Sequence, residues 1–148
     1  MLIISTYHDF FRELVLLHRP FEHHLQHQLT KHGLFRAQWT VIYRLYQEGS
    51  LTIGELASSQ FVEKPTMTKI VNRLFEMELV ERVHSTDRRE KRIQLTNHGK
   101  TVYMEVRETI DLLEQKIVEG ISEEQQIEAI QVMSAVRSTL SKLGEEQK

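Results

Sequence analysis

Apolar residues recur every three or four positions over much of this chain, which is the spacing of one face of an α-helix. The longest such stripe predicts a helix over residues 5–31, and its apolar positions are Phe10, Leu14, Leu17, Phe21, Leu25 and Leu29. Pro20 lies inside this helix and is expected to kink it, because proline removes one backbone hydrogen bond. Gly33 is expected to end it, since glycine is common just past a helix C-terminus.

The same spacing predicts three further long helices, over residues 36–47, 97–119 and 123–143. Two capping boxes mark helix starts. Thr52 with Glu55, and Ser122 with Gln125, each place a hydroxyl three residues before a side chain that can satisfy free N–H groups. The first of these boxes predicts a short helix over residues 53–59.

Residues 64–75 predict another helix, which has two different faces. Pro65 suits its first turn, where a missing N–H costs nothing. One face is apolar and consists of Met67, Ile70, Val71, Leu74 and Phe75. The other face carries hydroxyls, an amide and cations, on Thr66, Thr68, Lys69, Asn72 and Arg73. These groups hydrogen-bond phosphates and base edges in a DNA major groove, so the helix is a candidate DNA-binding element.

Alternating apolar and polar residues predict two strands after this helix, over residues 79–84 and 92–95. The turn between them, residues 87–90, reads Asp-Arg-Arg-Glu. Leu51 is expected to add a short strand contact, and Thr96 is expected to cap the helix that follows. A short helix, a turn, a polar-faced helix and an arginine-tipped hairpin are the elements of a winged helix. In that fold the wing follows the DNA backbone or enters the minor groove.

Charge is distributed in a way that favours this interpretation. The chain has 148 residues, the usual size of one domain, and a formal net charge of −2. Residues 64–92 hold eight Lys and Arg against five Asp and Glu, a local charge of +3 that leaves −5 for the remainder. A cationic surface on an acidic body binds a polyanion through one face only.

Composition excludes several other classes of protein. With no cysteine, the chain has no disulfide, no thiolate metal site and no cysteine-based redox sensor. No apolar run approaches the roughly 20 residues that span a bilayer, so we expect no membrane association. The N-terminus lacks a basic leader and a cleavage site, which predicts a cytoplasmic protein. No glycine-rich phosphate loop or nucleophile–base–acid spacing is present, so neither an enzyme nor a cofactor is expected.

Six motifs follow one another in the order and spacing of the MarR family of bacterial transcriptional regulators, which the chain therefore resembles. They are GLFRAQWTVIYRL (33–45), LTIGELA (51–57), KPTMTKIVNRL (64–74), LVER (79–82), DRR (87–89) and LTNHG (95–99). The resemblance implies a mainly α fold with a small β-hairpin wing. A single domain over 1–148 is then expected to hold a winged helix-turn-helix core at 34–96, flanked by dimerisation helices at 1–33 and 97–148.

The resemblance also implies a function. We expect a repressor that binds double-stranded DNA at a near-palindromic operator and is released by a small aromatic effector. The terminal apolar stripes point to a homodimer, because a short winged core cannot cover them. The expected DNA-binding residues are Lys64, Pro65, Thr66, Thr68, Lys69, Asn72, Arg73, Arg88 and Arg89. The match of Asp-Arg-Arg to the family's wing makes Arg89 the groove-inserting residue.

Two alternatives remain open from the sequence. A winged-helix protein-interaction module would not bind DNA, and its cationic group would lack a polyanion partner. A zinc or other divalent metal-responsive regulator would use His23 and His27, which lie four apart on one helix face, although two histidines need further ligands. Surface histidines are the simpler interpretation, so we assign no metal ligand.

The effector site is not fixed by the sequence. Aromatic residues and a histidine that could line an effector cavity, or equally belong to the core, are Phe10, Phe11, His18, Trp39, Tyr43 and Tyr46.

Two positions depart from the family pattern. Glu78 stands where the family usually has a glycine that ends the recognition helix in a left-handed conformation, which glutamate adopts only at a cost. Gln60 stands where leucine is common, and Phe61 is predicted to fill the space of that leucine. Neither departure touches the residues expected to face DNA.

Overall fold

The computed structural model describes residues 5–84 and 91–147. Within this part the elements are α1 (Thr6–Thr30), α2 (Arg36–Glu48), β1 (Ser50–Thr52), α3 (Ile53–Ser59), α4 (Lys64–Glu76), β2 (Val80–Arg82), β3 (Arg92–Leu95), α5 (Asn97–Ile117) and α6 (Glu123–Glu146). The predicted mainly α class with a small wing is confirmed. The predicted helices agree with the observed ones to within about three residues at each end, the margin by which helix assignments commonly differ.

Two compact units make up the chain, Met1–Leu113 and Glu114–Lys148. The core of the first unit draws on α1 to α5 and on all three strands. Its fully buried side chains include Leu29, Leu34, Ile42, Leu45, Leu56, Met67, Val71, Leu74 and Val106. This core holds α3 and α4 against α2, and it thereby fixes the surface that α4 presents to the outside.

Only the C-terminal half of α1 contributes to that core. Leu25 and Leu29 are buried, whereas Leu14 and Leu17 remain more than half exposed. The helix continues through Pro20, and Gly33 lies just beyond it at a φ of +72°, a conformation that favours glycine. The predicted apolar stripe is therefore continuous in sequence, but the chain itself covers only its second half.

The three strands form one antiparallel sheet in the order β1-β3-β2. Leu51 pairs with Ile93 and Val80 pairs with Leu95, and all four side chains are buried. The predicted contact at Leu51 is confirmed and extends to a three-residue strand. β2 ends at Arg82, so it is shorter than the predicted strand over 79–84.

The helix starts agree with the predicted caps, with one difference. At α6 both halves of the box form, since the Ser122 hydroxyl accepts from the Gln125 N–H and the Gln125 side chain accepts from the Ser122 N–H, each at 3.1 Å. At α3 the Thr52 hydroxyl accepts from the Glu55 N–H at 3.1 Å. The Glu55 carboxylate, however, accepts from the Thr52 hydroxyl at 3.2 Å and pairs with Arg92 of β3 at 3.2 Å.

The second unit contains the end of α5, a turn and α6. Gly120 occupies the turn with a φ of +85°. None of the α6 side chains is buried. Its exposed apolar residues include Ile127, Ile130, Met133, Leu140 and Leu143. None of the helices in residues 5–84 and 91–147 is both long and apolar enough to cross a bilayer.

Candidate nucleic-acid interface

The helix α4 presents its polar face to the outside. Met67, Val71 and Leu74 are completely buried on the opposite face, so the helix cannot rotate without exposing them. The exposed side chains, spaced so that they lie together, are Thr66, Lys69, Asn72 and Arg73. These four predicted site residues therefore form one continuous surface of hydroxyl, amide and cationic groups, which we call the α4 surface.

Lys64, in the first turn of α4, folds back over α3. Its Cε atom lies 3.3 Å, and its Nζ atom 3.6 Å, from the position that a Cβ atom on Gly54 would occupy. Gly54 therefore leaves room for the lysine side chain. The first turn of α3 is also the positive end of its dipole, so an anion such as phosphate would be favoured beside this ammonium group. Pro65 follows in the first turn and is exposed.

Thr68 lies at the edge of the α4 surface and is half-buried. Its hydroxyl donates a hydrogen bond to the backbone carbonyl of Lys64 at 2.9 Å. The hydroxyl proton is thus engaged within the helix, which leaves the oxygen as an acceptor. Phosphate oxygens need donors, so Thr66, which is exposed, is better suited to them than Thr68.

Arg73 carries an ion pair at the end of the α4 surface. Its guanidinium group lies 2.9 Å from the Glu76 carboxylate, and the two side chains are 61% and 67% exposed. Pairs this exposed typically stabilise a protein by about 0–1 kcal/mol. A phosphate group could therefore displace Glu76 at little cost, and until then the pair holds the arginine along the helix.

The tip of the wing, with Arg88 and Arg89, lies outside the described residues. Its base is anchored by Arg92, which donates to the Ser50 hydroxyl at 3.1 Å and to the Ser50 carbonyl at 2.8 Å. The same guanidinium pairs with Glu55. Arg92 therefore joins β3 to β1 and α3 as a structural cation. The sequence counted it only as part of the local positive charge, because its partners lie 37 and 42 positions away.

Both helices of the α3–α4 pair end with a left-handed residue that is not glycine. At the end of α4, Glu78 has a φ of +60°, with hydrogen bonds from its N–H to Phe75 and from the Leu79 N–H to Leu74. At the end of α3, Phe61 has a φ of +55° and the corresponding bonds. These are Schellman motifs, in which the left-handed position usually belongs to glycine. Glu78 thus adopts the left-handed conformation of the family's usual glycine, although glutamate does so only at a cost.

The prediction that Phe61 fills the space of a missing leucine is wrong. Its side chain is 97% exposed, because the left-handed backbone turns it away from the core. The Gln60 side chain points inwards instead, and its Nε2 atom is buried without a hydrogen-bond partner in the part of the chain that the structure describes.

Thr96 and Gly99, from the Leu-Thr-Asn-His-Gly motif, join the end of α4 to the start of α5. The Thr96 hydroxyl donates to the Glu78 carbonyl at 2.7 Å and accepts from the Gly99 N–H at 2.9 Å. The Thr96 N–H also donates to the Leu79 carbonyl at 3.1 Å. A Cβ atom on Gly99 would overlap that carbonyl oxygen, so the contact requires glycine.

An aromatic cluster is formed by side chains of α2 and α5. Tyr103 stacks between Trp39, at 5.4 Å between ring centroids, and Tyr46, at 3.8 Å. Burial raises the pKa of the Tyr103 phenol. Trp39 is a core residue, whereas Tyr43 and Tyr46 are partly exposed, as are Phe10 and Phe11 on α1. His18, also on α1, is exposed.

Beside Tyr46 lies a cavity of about 430 Å³. Its lining also includes Leu45, Glu48, Gly49, Ser50, Gln94, Leu95 and Lys100. Of the six residues considered for an effector cavity, only Tyr46 borders it.

Among the residues that the structure describes, no group of three or more His, Cys, Asp or Glu side chains is placed to hold a metal ion. His23 packs edge-on against His24, and His32 forms a hydrogen bond with Thr109 at 2.8 Å.

Comparisons of the sequence and of the fold with known proteins each find transcriptional regulators. The sequence profile of the MarR family matches residues 34–91. An HTH-type transcriptional regulator of Staphylococcus aureus (strain Mu50) is 29% identical over 137 residues, which cover 90% of this chain and 94% of the relative. The HTH-type transcriptional regulator YwoH of Bacillus subtilis is 34% identical over 97 residues, 66% of this chain and 71% of YwoH.

Among solved structures, the S. aureus MarR in complex with salicylate and kanamycin has a TM-score of 0.81 and 29% sequence identity. The alignment covers 90% of this chain and 91% of that one.

Proposed function

This chain belongs to the MarR family of DNA-binding transcriptional regulators, and we propose that it is a repressor that binds a near-palindromic operator as a homodimer and is released by a small aromatic ligand. It would act in the cytoplasm on double-stranded DNA, and not as an enzyme.

The observation that carries the proposal is the α4 surface. Thr66, Lys69, Asn72 and Arg73 are exposed together, while the buried opposite face fixes their direction. A helix of this kind reads base edges with amides and guanidinium groups and contacts phosphates with hydroxyls and lysine. Lys64 and Pro65 would set its approach, Thr68 would contribute from the edge, and Arg88 and Arg89 would contact DNA from the wing.

Two uncovered apolar surfaces support the homodimer. The N-terminal half of α1 exposes Leu14 and Leu17, and α6 exposes Ile130 and Met133. Apolar side chains that lie together on an exposed helix face are costly in water and are commonly covered by another copy of the chain. A twofold dimer would offer one recognition helix to each half-site, with half-sites roughly 34 Å apart.

The cavity beside Tyr46 supports release by a small ligand. Its volume of about 430 Å³ suits a small aromatic molecule. The Tyr46 ring could stack on such a ligand and the Lys100 ammonium group could pair with a carboxylate. The S. aureus MarR structure was obtained with salicylate, a ligand of this chemistry.

The proposal is tested by fluorescence anisotropy on a labelled duplex from the region upstream of the gene, with a scrambled duplex as reference. We expect Arg73→Ala to weaken operator binding at least about tenfold, because a base or phosphate contact is lost in each half-site. Its thermal midpoint should not change, since the side chain is exposed. The control is Lys31→Ala, which removes an exposed cation just after α1 and should leave affinity unchanged.

The same binding measurement, repeated at several salt concentrations, gives a second test of the proposal. If six to ten phosphates are contacted by the dimer, affinity should fall about 10³- to 10⁵-fold between 50 and 200 mM salt. Arg73→Ala should reduce that slope if the arginine contacts phosphate. Equal affinities of Arg73→Ala and wild type, or a flat salt response, would contradict the proposal. No binding to any duplex would leave a protein-interaction module as the better interpretation.

A further inference from the structure

The turn between α3 and α4 combines several locally unfavourable features. Phe61 has a φ of +55°, a conformation that L-residues adopt only at a cost in free energy. Its neighbour Gln60 buries an amide nitrogen without a hydrogen-bond partner in the described residues. Features that break local rules without a structural gain tend to lie at functional sites.

The Phe61 ring gains nothing from the fold. It is 97% exposed, so it contributes no burial that would offset the backbone strain. Glycine at this position would form the same Schellman motif without the strain. The ring is therefore open to a contact with a molecule outside this chain.

The position of the ring indicates what it contacts. Phe61 lies three residues before Lys64, in the turn that leads into the α4 surface. In helix-turn-helix proteins the N-terminal residues of the recognition helix contact the base edges. Glu63, between the two, is exposed and acidic, so the turn itself offers no cation to a phosphate. An aromatic ring can instead make apolar contacts with deoxyribose or with a thymine methyl group.

We propose that Phe61 is a DNA contact of this regulator, whose ring packs against deoxyribose or a thymine methyl group at the edge of the major groove. The strained turn places that ring in solvent, where it can contact DNA. The inference rests on the proposed function, because it requires α4 to enter the groove.

The chain offers a matched control in Glu78. Glu78 occupies the same left-handed position at the end of α4, with a φ of +60° and the same pair of backbone hydrogen bonds. Its exposed carboxylate would repel DNA rather than bind it. Substitution by glycine relieves equivalent strain at both positions, but it removes a DNA-contacting group only at Phe61.

The test compares Phe61→Gly, Phe61→Leu and Glu78→Gly in thermal unfolding and in operator binding. Both glycine variants should raise the thermal midpoint by roughly 2–4 °C, because strain is removed and no burial is lost. Phe61→Gly should bind the operator about tenfold more weakly, and Glu78→Gly at least as tightly as wild type. Phe61→Leu keeps the strain and part of the apolar surface, so its affinity should lie between those of Phe61→Gly and wild type.

Operators in which thymine is replaced by uracil one position at a time distinguish the two apolar partners. If the ring contacts a methyl group, one replacement weakens wild type but not Phe61→Gly. If it contacts deoxyribose, no replacement separates the two proteins, and Phe61→Gly stays weaker on every operator.

Several results would overturn the inference. Wild-type affinity for Phe61→Gly would do so, and so would a lower thermal midpoint, which would mean that the ring stabilises the fold. The parallel Arg73→Ala measurement separates the two proposals. If Arg73→Ala weakens binding and Phe61→Gly does not, only the role of Phe61 fails, whereas absence of wild-type binding to any duplex removes both.

Discussion

Replacing Gly99 by alanine should destabilise the protein strongly, because the space for a Cβ atom is already occupied. That atom would overlap the carbonyl oxygen of Leu79, and it would lie 3.1 Å from the carbonyl carbon and 3.3 Å from Cδ2 of Leu95. The obstacle is backbone, which cannot rotate away as a side-chain end can. Moving the carbonyl would also break its hydrogen bond with the Thr96 N–H.

The magnitude follows from these contacts. Forcing a methyl group into a packed site costs about 1–3 kcal/mol, and the lost hydrogen bond adds about 1 kcal/mol. Alanine has a better helix propensity than glycine, which offsets up to about 1 kcal/mol of this loss. The net loss is therefore about 1–4 kcal/mol, which for a chain of 148 residues lowers the thermal midpoint by roughly 2–16 °C.

Urea unfolding followed by circular dichroism measures this loss, at one fixed protein concentration because assembly alters apparent stability. The control is Gly54→Ala, the same change in the first turn of α3. There the Cβ atom would meet the end of the Lys64 side chain, which can move, and the Thr52 hydroxyl oxygen at 3.8 Å, an ordinary contact distance, so we expect a change within about 1 kcal/mol. Equal stability of the two variants would refute the reasoning, since it would mean that the Leu79 carbonyl can move aside at no cost in free energy.

Two further predictions concern assembly and the base of the wing. Ile130→Glu should convert the proposed dimer into monomers in light scattering, because it places a charge on the exposed apolar face of α6. Gln131→Glu, which adds the same charge at the next position, should not, and an unchanged mass for both variants would count against pairing through α6. Arg92→Ala should lower the free energy of unfolding by about 1–2 kcal/mol in urea, because hydrogen bonds to Ser50 and Glu55 are lost. Lys91→Ala is the matched control, and similar stability of the two variants would argue against an anchoring role for Arg92.

Local patterns were sufficient to predict most of the fold. The boxes at Thr52 and Ser122 place helix starts correctly, since capping depends on residues three apart. The alternation at Ile93 and Leu95 likewise assigns the buried face of β3. The exposed face of α4 follows from the spacing of Thr66, Lys69 and Arg73, because the apolar positions between them have to be buried.

Features that depend on distant residues or on unusual backbone could not be predicted in this way. Arg92 looks like any surface cation until the fold brings Ser50 and Glu55 beside it. Phe61 looks like a core residue, because its aromatic side chain is the only local signal and its left-handed backbone is not visible in the sequence. The hydroxyl of Thr68 looks available, although the helix itself uses its proton. The contacts of Arg88 and Arg89 stay predictions.

The hydroxyl of Thr96 restricts how α4 and α5 can move relative to each other. One oxygen atom serves both the carbonyl that follows α4 and the amide in the first turn of α5. A rotation of α5 must therefore either carry the end of α4 with it or break this shared bond. The Thr96 hydroxyl thus couples the end of α4 to the start of α5, together with the Thr96 N–H bond to Leu79.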